Sequence, residues 1–138
     1  MPSINPTGAS LEQLARSLPA DKPVTMLNLL RFNEHSRYPA GSDAAPCSGR
    51  EAYRRYSRVA LGKLEAVGAR PVWMAEAFAS VIAPEDEQWD EVLLVQYPSG
   101  AAFMQMLGMP DYQAATIHRT AALADSRLIA TLAANNPV

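Results

Sequence analysis

The order of apolar segments predicts an α+β fold of the ferredoxin-like kind, in which a four-stranded antiparallel sheet carries its helices on one face. Two observations support this class. Four segments have strand character and two amphipathic regions separate them, in the order strand, helix, strand, strand, helix, strand. The two middle strands are close enough to form a hairpin. Right-handed crossovers then place the first and third strands at the centre of the sheet and the other two at its edges.

The chain begins with a segment that predicts a short helical extension of this core. Thr7 or Ser10 can cap a helix that runs to about Ser17. The next segment, Val24–Phe32, contains almost no polar residue, which is typical of a central strand covered on both faces. The sequence therefore predicts an N-terminal extension over residues 1–22 and a central strand directly after it.

A long loop and a helix follow the first strand. The loop, Asn33–Cys47, is longer than compact domains usually leave without regular structure, so it is either a lid over a site or a spacer. Ser48 caps the helix Gly49–Val67, whose tyrosines and leucines face inward, and Gly68 ends it.

The middle of the chain, Ala69–Pro98, predicts the hairpin. Its first arm is strand-like as far as Ile82, and the polar stretch Pro84–Asp90 supplies the turn before the second arm, Val92–Tyr97. Strands are typically about 5–6 residues long. We therefore expect the longer first arm to project beyond its neighbour and to need a partner that covers it.

The rest of the chain supplies the second helical region and the last strand. The predicted elements are a short helix that is capped by Ser99 and runs through Leu107, a second piece Asp111–Ala124, a strand Arg127–Leu132 and a tail Ala133–Val138. Together they complete a single domain over residues 1–138, with a ferredoxin-like core at residues 23–132.

Composition restricts the classes of partner. The 12 basic and 14 acidic residues give a net charge of −2, which argues against nucleic acid. No apolar stretch reaches the length of a membrane helix and the N-terminus lacks a signal sequence, so we expect no membrane partner and a cytoplasmic protein.

Cys47 is the single cysteine and is interpreted as an incidental loop thiol. The five carboxylates within Glu85–Glu91 lack a calcium-loop pattern, so they are interpreted as a solvated acidic turn and no metal site is predicted.

The two-sided apolar character of the central strands predicts a homodimer. Helices cover one face of such a sheet, so the other face needs a partner sheet, and two sheets would enclose a barrel-like interior. Asn28 shares a strand face with Met26 and Leu30. We expect this face to line the interior between the two sheets.

Several segments also resemble a known family. They are MLNLLRF at Met26–Phe32, SGREAYRRY at Ser48–Tyr56, APEDEQWDEVLLVQYPS at Ala83–Ser99 and PDYQAATIHRTAALADSRLIAT at Pro110–Thr131. Together they resemble the domain-of-unknown-function 1330 family, in the dimeric α+β barrel superfamily. The resemblance implies this fold and a site inside each barrel. Superfamily relatives include cofactor-less monooxygenases, lactone isomerases and haem-handling enzymes, so it implies no particular reaction.

The last helical region contains the strongest candidate for chemistry. His118 titrates near neutrality and is predicted to act as an acid or base, while Arg119 could hold a carboxylate or enolate. Adjacent helical residues point about 100° apart, so both cannot be centred on one pocket. The alternative is a surface histidine and an arginine that interacts with the helix end.

The predicted substrate-binding residues are polar or aromatic side chains near the expected interior. Asn28 could position a substrate oxyanion, or could be a buried amide that sets strand register. The others, Tyr56, Trp73, Trp89 and Tyr112, could line an apolar cavity or fill the core. Two function classes follow: an enzyme with no cofactor that catalyses proton transfer or oxygenation on an apolar or aromatic molecule, and a non-catalytic dimeric module that binds a ligand or supports an assembly.

Overall fold

The computed structural model describes residues 1–136, which form a four-stranded antiparallel sheet with helices packed on one face. The elements are α1 Gly8–Ser17, β1 Val24–Phe32, α2 Gly49–Ala66, β2 Arg70–Glu76, β3 Glu91–Tyr97, α3 Gly100–Leu107, α4 Pro110–Ala122 and β4 Leu123–Thr131. The strand order is β2-β3-β1-β4, so β1 and β3 are central as predicted. The ferredoxin-like fold is confirmed.

The inner face of the sheet, which packs under the helices, contains the core. On β1, Val24, Met26 and Leu30 are buried and cluster with aromatic residues of α2, including Tyr53 and Tyr56. Asn28 lies on the same face. The expectation that this face of β1 looks into a space between two sheets was therefore wrong, because α2 and α4 already cover it.

The outer face of the sheet carries a row of apolar side chains that crosses all four strands. Trp73 is paired with Leu94, Leu94 with Leu27, and Leu27 with Ile129. We call Trp73, Leu94, Leu27 and Ile129 the outer apolar row. Residues directly opposite each other in neighbouring strands share a face, so these four side chains form one continuous surface. Trp73 and Ile129 are more than half exposed, at 59% and 51%.

The first hairpin arm is shorter than predicted. β2 ends at Glu76, which is paired with Glu91 at the start of β3, and the segment that follows contains no strand up to Asp90. The prediction failed because strand-forming residues form a strand only where a neighbour offers backbone hydrogen bonds. As a result, Phe78, Val81 and Ile82 are 92%, 92% and 96% exposed.

The last strand begins earlier than predicted. Leu123 pairs with Phe32, so β4 follows α4 without a loop, four residues before the predicted start at Arg127. Residues 132–136 of the chain's end have no helix or strand, and residues 137 and 138 of the predicted tail lie outside the described residues. No helix in the described part of the chain is long and apolar enough to cross a membrane.

A tight junction joins the end of β1, the start of α2 and the end of α4. The backbone N–H of Asn33 donates to Ala122 O at 2.8 Å, and that of Gly49 donates to Asn33 O at 3.1 Å. A Cβ atom on Gly49 would lie 2.1 Å from Asn33 O and 2.7 Å from Ala122 O. The three backbones can approach this closely only because Gly49 has no side chain.

Candidate functional site

A cavity of about 880 Å³ lies between the inner face of the sheet and the helices. This volume is in the range of sites that hold small organic molecules. The apolar part of its wall includes Met26, Leu64, Leu93, Val95, Phe103 and Met106. This cavity is inside one chain, under the helices, whereas the sequence predicted a site between two sheets.

The N-terminal extension forms part of the cavity wall. Ile4, Leu11 and Leu14 line it, and the guanidinium Nη1 of Arg119 donates to Ile4 O. Ser126 Oγ donates to Ser3 O at 2.6 Å and attaches the same segment to β4. Contacts between residues more than 100 positions apart leave no local signal in a sequence, which is why this wall was missed.

The loop Asn33–Cys47 does not cover the cavity. None of these residues, all of which are described, is part of the cavity wall. Its two ends are joined by a hydrogen bond from Ser36 N to Cys47 O, and Arg37 N donates to Ala121 O at the end of α4. The loop therefore packs on the helical layer, which favours the spacer interpretation over the lid.

Asn28 presents a hydrogen-bond acceptor to the cavity. Its Nδ2 donates to Leu93 O at 3.2 Å and to Met26 O at 3.4 Å. Backbone carbonyls only accept hydrogen bonds, so the amide atom that contacts both of them must be the nitrogen Nδ2. The other amide atom is then the oxygen Oδ1. Oδ1 accepts no hydrogen bond from residues 1–136. Asn28 is therefore suited to a ligand hydroxyl or N–H, and not to the oxyanion predicted from the sequence.

Three tyrosines form an aromatic wall beside Arg119. The hydroxyls of Tyr56 and Tyr112 are 2.8 Å apart, and the rings of Tyr53 and Tyr56 have centroids 5.3 Å apart. Burial raises the pKa of Tyr53 to about 12, although the nearby charge of Arg119 opposes the rise. Burial also raises the pKa of Tyr56 well above its usual value. Tyr56 and Tyr112 are two of the predicted substrate-binding residues, and Tyr53 completes the wall beside them.

Glu91 and Arg50 form an ion pair on the cavity wall. Arg50 Nη1 lies 3.6 Å from Glu91 Oε1, and the guanidinium stacks over the Phe32 ring at 4.5 Å. Burial raises the pKa of Glu91, and the charge of Arg50 partly opposes this. Sequence reasoning assigned Glu91 to a solvated acidic turn. Its position as the first residue of β3, on the same face as Leu93, was the signal that could have found it.

His118 lies outside the cavity, against the loop that follows β1. Its Nδ1 is 2.7 Å from the hydroxyl of Tyr38, and Arg55 Nη1 lies 3.2 Å from the same oxygen. A guanidinium can only donate, so the Tyr38 oxygen accepts from Arg55 and its own proton is available to Nδ1. The acid–base role predicted for His118 therefore has no support at the cavity, whose wall contains Arg119 instead.

We expect His118 to make stability depend on pH. Burial lowers its pKa from the ordinary 6.5, and the charge of Arg55 adds to this. Below about pH 6.5 His118 therefore binds a proton more readily in the unfolded chain than in the folded protein. The contribution of His118 to the free energy of unfolding is full above this pH and is lost as the pH decreases. Thermal melts from pH 8 to pH 5 should show a steeper loss for the wild type than for His118→Asn. The control is His35→Asn at an exposed histidine, and a slope equal to the wild type in His118→Asn would contradict the expectation.

The two tryptophans do not line the cavity. Trp73 belongs to the outer apolar row, and Trp89 is partly buried beneath the guanidinium of Arg127, which lies 5.0 Å from the ring centroid. Their predicted substrate-binding role therefore has no support at this site. No group of three or more His, Cys, Asp or Glu side chains in residues 1–136 is arranged to hold a metal ion.

Comparison with known proteins shows the fold and the family. No protein-family model and no curated protein matches the chain, so membership of the domain-of-unknown-function 1330 family is not confirmed. A dabb family protein with a ferredoxin-like fold from Mesorhizobium loti aligns with a TM-score of 0.52 and 11% identity, over 82% of this chain and 98% of that one. This likeness supports the fold alone.

A second similarity extends to the sequence. The chain is 35% identical to the RPA0582 protein of unknown function from Rhodopseudomonas palustris, with a TM-score of 0.90 over 99% of this chain and 100% of that one. A structure of methylated RPA0582 aligns with 36% identity and a TM-score of 0.90, over 97% of this chain and 96% of that one. The chain therefore belongs to the same family as the RPA0582 protein, a family with the ferredoxin-like fold.

Proposed function

We propose that the protein binds a small, mostly apolar or aromatic molecule in the cavity between sheet and helices. The observation that carries the proposal is the cavity itself, a space of about 880 Å³ in which apolar walls surround a few polar side chains. The cavity is partly open to solvent, and its wall is mostly apolar. An apolar ligand of matching size would remove this apolar surface from water, which is favourable.

The polar side chains of the wall support a specific orientation of the ligand. The free Oδ1 of Asn28 can accept from a hydroxyl or N–H of the ligand, while the tyrosine wall offers ring edges and faces to an aromatic body. A few polar groups among apolar walls are typical of sites that select one ligand orientation.

A second candidate function is proton transfer on the bound molecule without a cofactor. One observation favours it: Glu91 is a cavity-lining carboxylate whose pKa is raised by burial. A carboxylate whose pKa is shifted toward neutrality can take a proton from a carbon acid and return it. Glu91, and not His118, is the residue that would carry this reaction.

We also propose that the protein is a homodimer through the outer face of the sheet. The outer apolar row is left bare by the helices, and Phe78, Val81 and Ile82 protrude from the neighbouring segment almost fully exposed. Soluble monomers rarely expose contiguous apolar surface of this extent. A second copy would present the same surface in return.

Titration with 2-naphthol, a neutral aromatic alcohol, tests the ligand-binding proposal. We expect one saturable site per chain with a dissociation constant of about 0.1 mM or below, measured by calorimetry. Leu93→Trp, which places an indole in the cavity beside Asn28, should abolish binding by filling the space. Ala114→Trp on the exposed side of α4 is the matched control and should bind like the wild type.

Two results would contradict the ligand-binding proposal. One is the absence of saturable binding to the wild-type protein by 2-naphthol, 2-naphthamide and 2-naphthoate alike, up to their solubility limits. The other is unchanged affinity in a Leu93→Trp protein that melts cooperatively, because the probe would then bind somewhere else.

A further inference from the structure

Arg119 is a buried cation on the cavity wall. The side chain extends from α4 toward the sheet, only 8% of the residue is exposed, and one N–H group donates to Ile4 O. Burying a charge is costly unless an opposite charge lies nearby. A backbone carbonyl offsets part of that cost but leaves the positive charge uncompensated.

The other charged side chains of the cavity wall are already paired. Each of the remaining arginines has a carboxylate partner, and the carboxylate of the wall belongs to one of these pairs. The pairs are Arg50 with Glu91 at 3.6 Å, Arg54 with Glu51 at 3.2 Å, and Arg127 with Asp125 at 2.8 Å. Arg119, in contrast, pairs with no carboxylate among residues 1–136.

The neighbouring phenols cannot supply the missing negative charge. Tyr53 and Tyr56 are the aromatic residues whose pKa values respond to Arg119, and burial raises both, that of Tyr53 to about 12. Both side chains are therefore neutral near pH 7. The cavity wall therefore carries one unit of positive charge that residues 1–136 do not balance.

We infer that the ligand of this cavity is an organic monoanion whose negative group pairs with Arg119. A carboxylate on an apolar or aromatic body fits best, because the planar guanidinium has five N–H donors and can engage both carboxylate oxygens. This inference rests on the proposed function and adds the charge of the ligand to it. A dianion fits less well, since only one positive charge is unbalanced.

A pair of isosteric probes tests the inference at pH 7. We expect the wild-type protein to bind 2-naphthoate at least about 10-fold more tightly than 2-naphthamide, which has the same shape without the charge. In Arg119→Met this preference should disappear, while 2-naphthamide should bind within about threefold of the wild type. Arg58→Met is the control, because Arg58 is an arginine of α2 that lies outside the cavity wall and pairs with Glu51 at 3.5 Å.

The outcomes separate the inference from the proposed function. Equal binding of both probes by the wild type, or tighter binding of the amide, would overturn the inference and leave the proposed function standing. A folded Arg119→Met protein that still prefers 2-naphthoate over 2-naphthamide would also overturn the inference. If this variant does not fold, the relative affinity of the wild-type protein for the two probes still decides. Failure of both probes and of 2-naphthol to bind would overturn the proposed function.

Discussion

A carboxylate in place of Leu94 should convert the protein from a dimer into a monomer. Leu94 lies in the middle of the outer apolar row, between Trp73 and Leu27 on the neighbouring strands. An interface of this kind should bury about 2,000 Å² in total, and a two-fold axis places the new charge in it twice. Each unpaired buried charge costs several kcal/mol, enough to dissociate the pair at micromolar concentration.

Light scattering coupled to size-exclusion chromatography measures this change directly. The wild type should have twice the mass of the chain and Leu94→Asp the mass of one chain, with helical circular dichroism retained. Ala114→Asp adds the same charge on the exposed helical side and should stay dimeric. A wild-type protein that is monomeric at micromolar concentration, or a Leu94→Asp protein that remains dimeric, would contradict the predicted interface.

One methyl group on Gly49 should destabilise the fold more than most core substitutions. The added Cβ would lie 2.1 Å from Asn33 O and 2.7 Å from Ala122 O, both backbone atoms that cannot rotate away. The junction of β1, α2 and α4 would have to separate. We expect Gly49→Ala to lose about 3 kcal/mol or more of unfolding free energy, seen as a fall in melting temperature of roughly 10 °C.

The same substitution elsewhere in α2 should have the opposite effect on stability. Gly62 is exposed within the helix, and a Cβ there meets no atom within 4 Å. Gly62→Ala should therefore add about 0.5–1 kcal/mol, because alanine loses less backbone entropy in a helix than glycine. Two melting curves test the pair, and an unchanged melting temperature in Gly49→Ala would show that the junction is not as close as described.

The fold was predictable because each local signal agreed with the others. The apolar run Val24–Phe32 predicted β1 to the residue, and Ser48 and Ser99 cap α2 and α3 as expected. The errors arose where hydrogen-bonded pairing with a neighbouring strand, and not the strand propensity of the residues, decides whether a strand forms. The arm after Glu76 lacks a partner strand and is irregular, whereas β4 starts at Leu123 because Phe32 is there to pair with it.

The candidate site was predictable only in part, for a geometric reason. A polar residue in an apolar strand pointed to Asn28, and Arg119 was named as a possible anion holder. Which of two adjacent helical residues faces inward depends on how α4 packs, and here the packing buries Arg119 and turns His118 toward Tyr38. Glu91 could have been found from the alternation of side chains along β3, whereas Ile4 becomes part of the site only through long-range contacts, which periodicity does not reveal.

The composition of the cavity wall separates the residues that stabilise the fold from those that shape the site. α1 contributes Leu11 and Leu14 to the cavity but has no buried residue of its own, while the sheet and α2 contain most of the core. Substitutions along one face of α1 can therefore change the volume or the charge of the cavity with little loss of unfolding free energy. Under the proposed function, two proteins that share this sheet and helical core could therefore differ in the ligand they bind through the N-terminal extension alone.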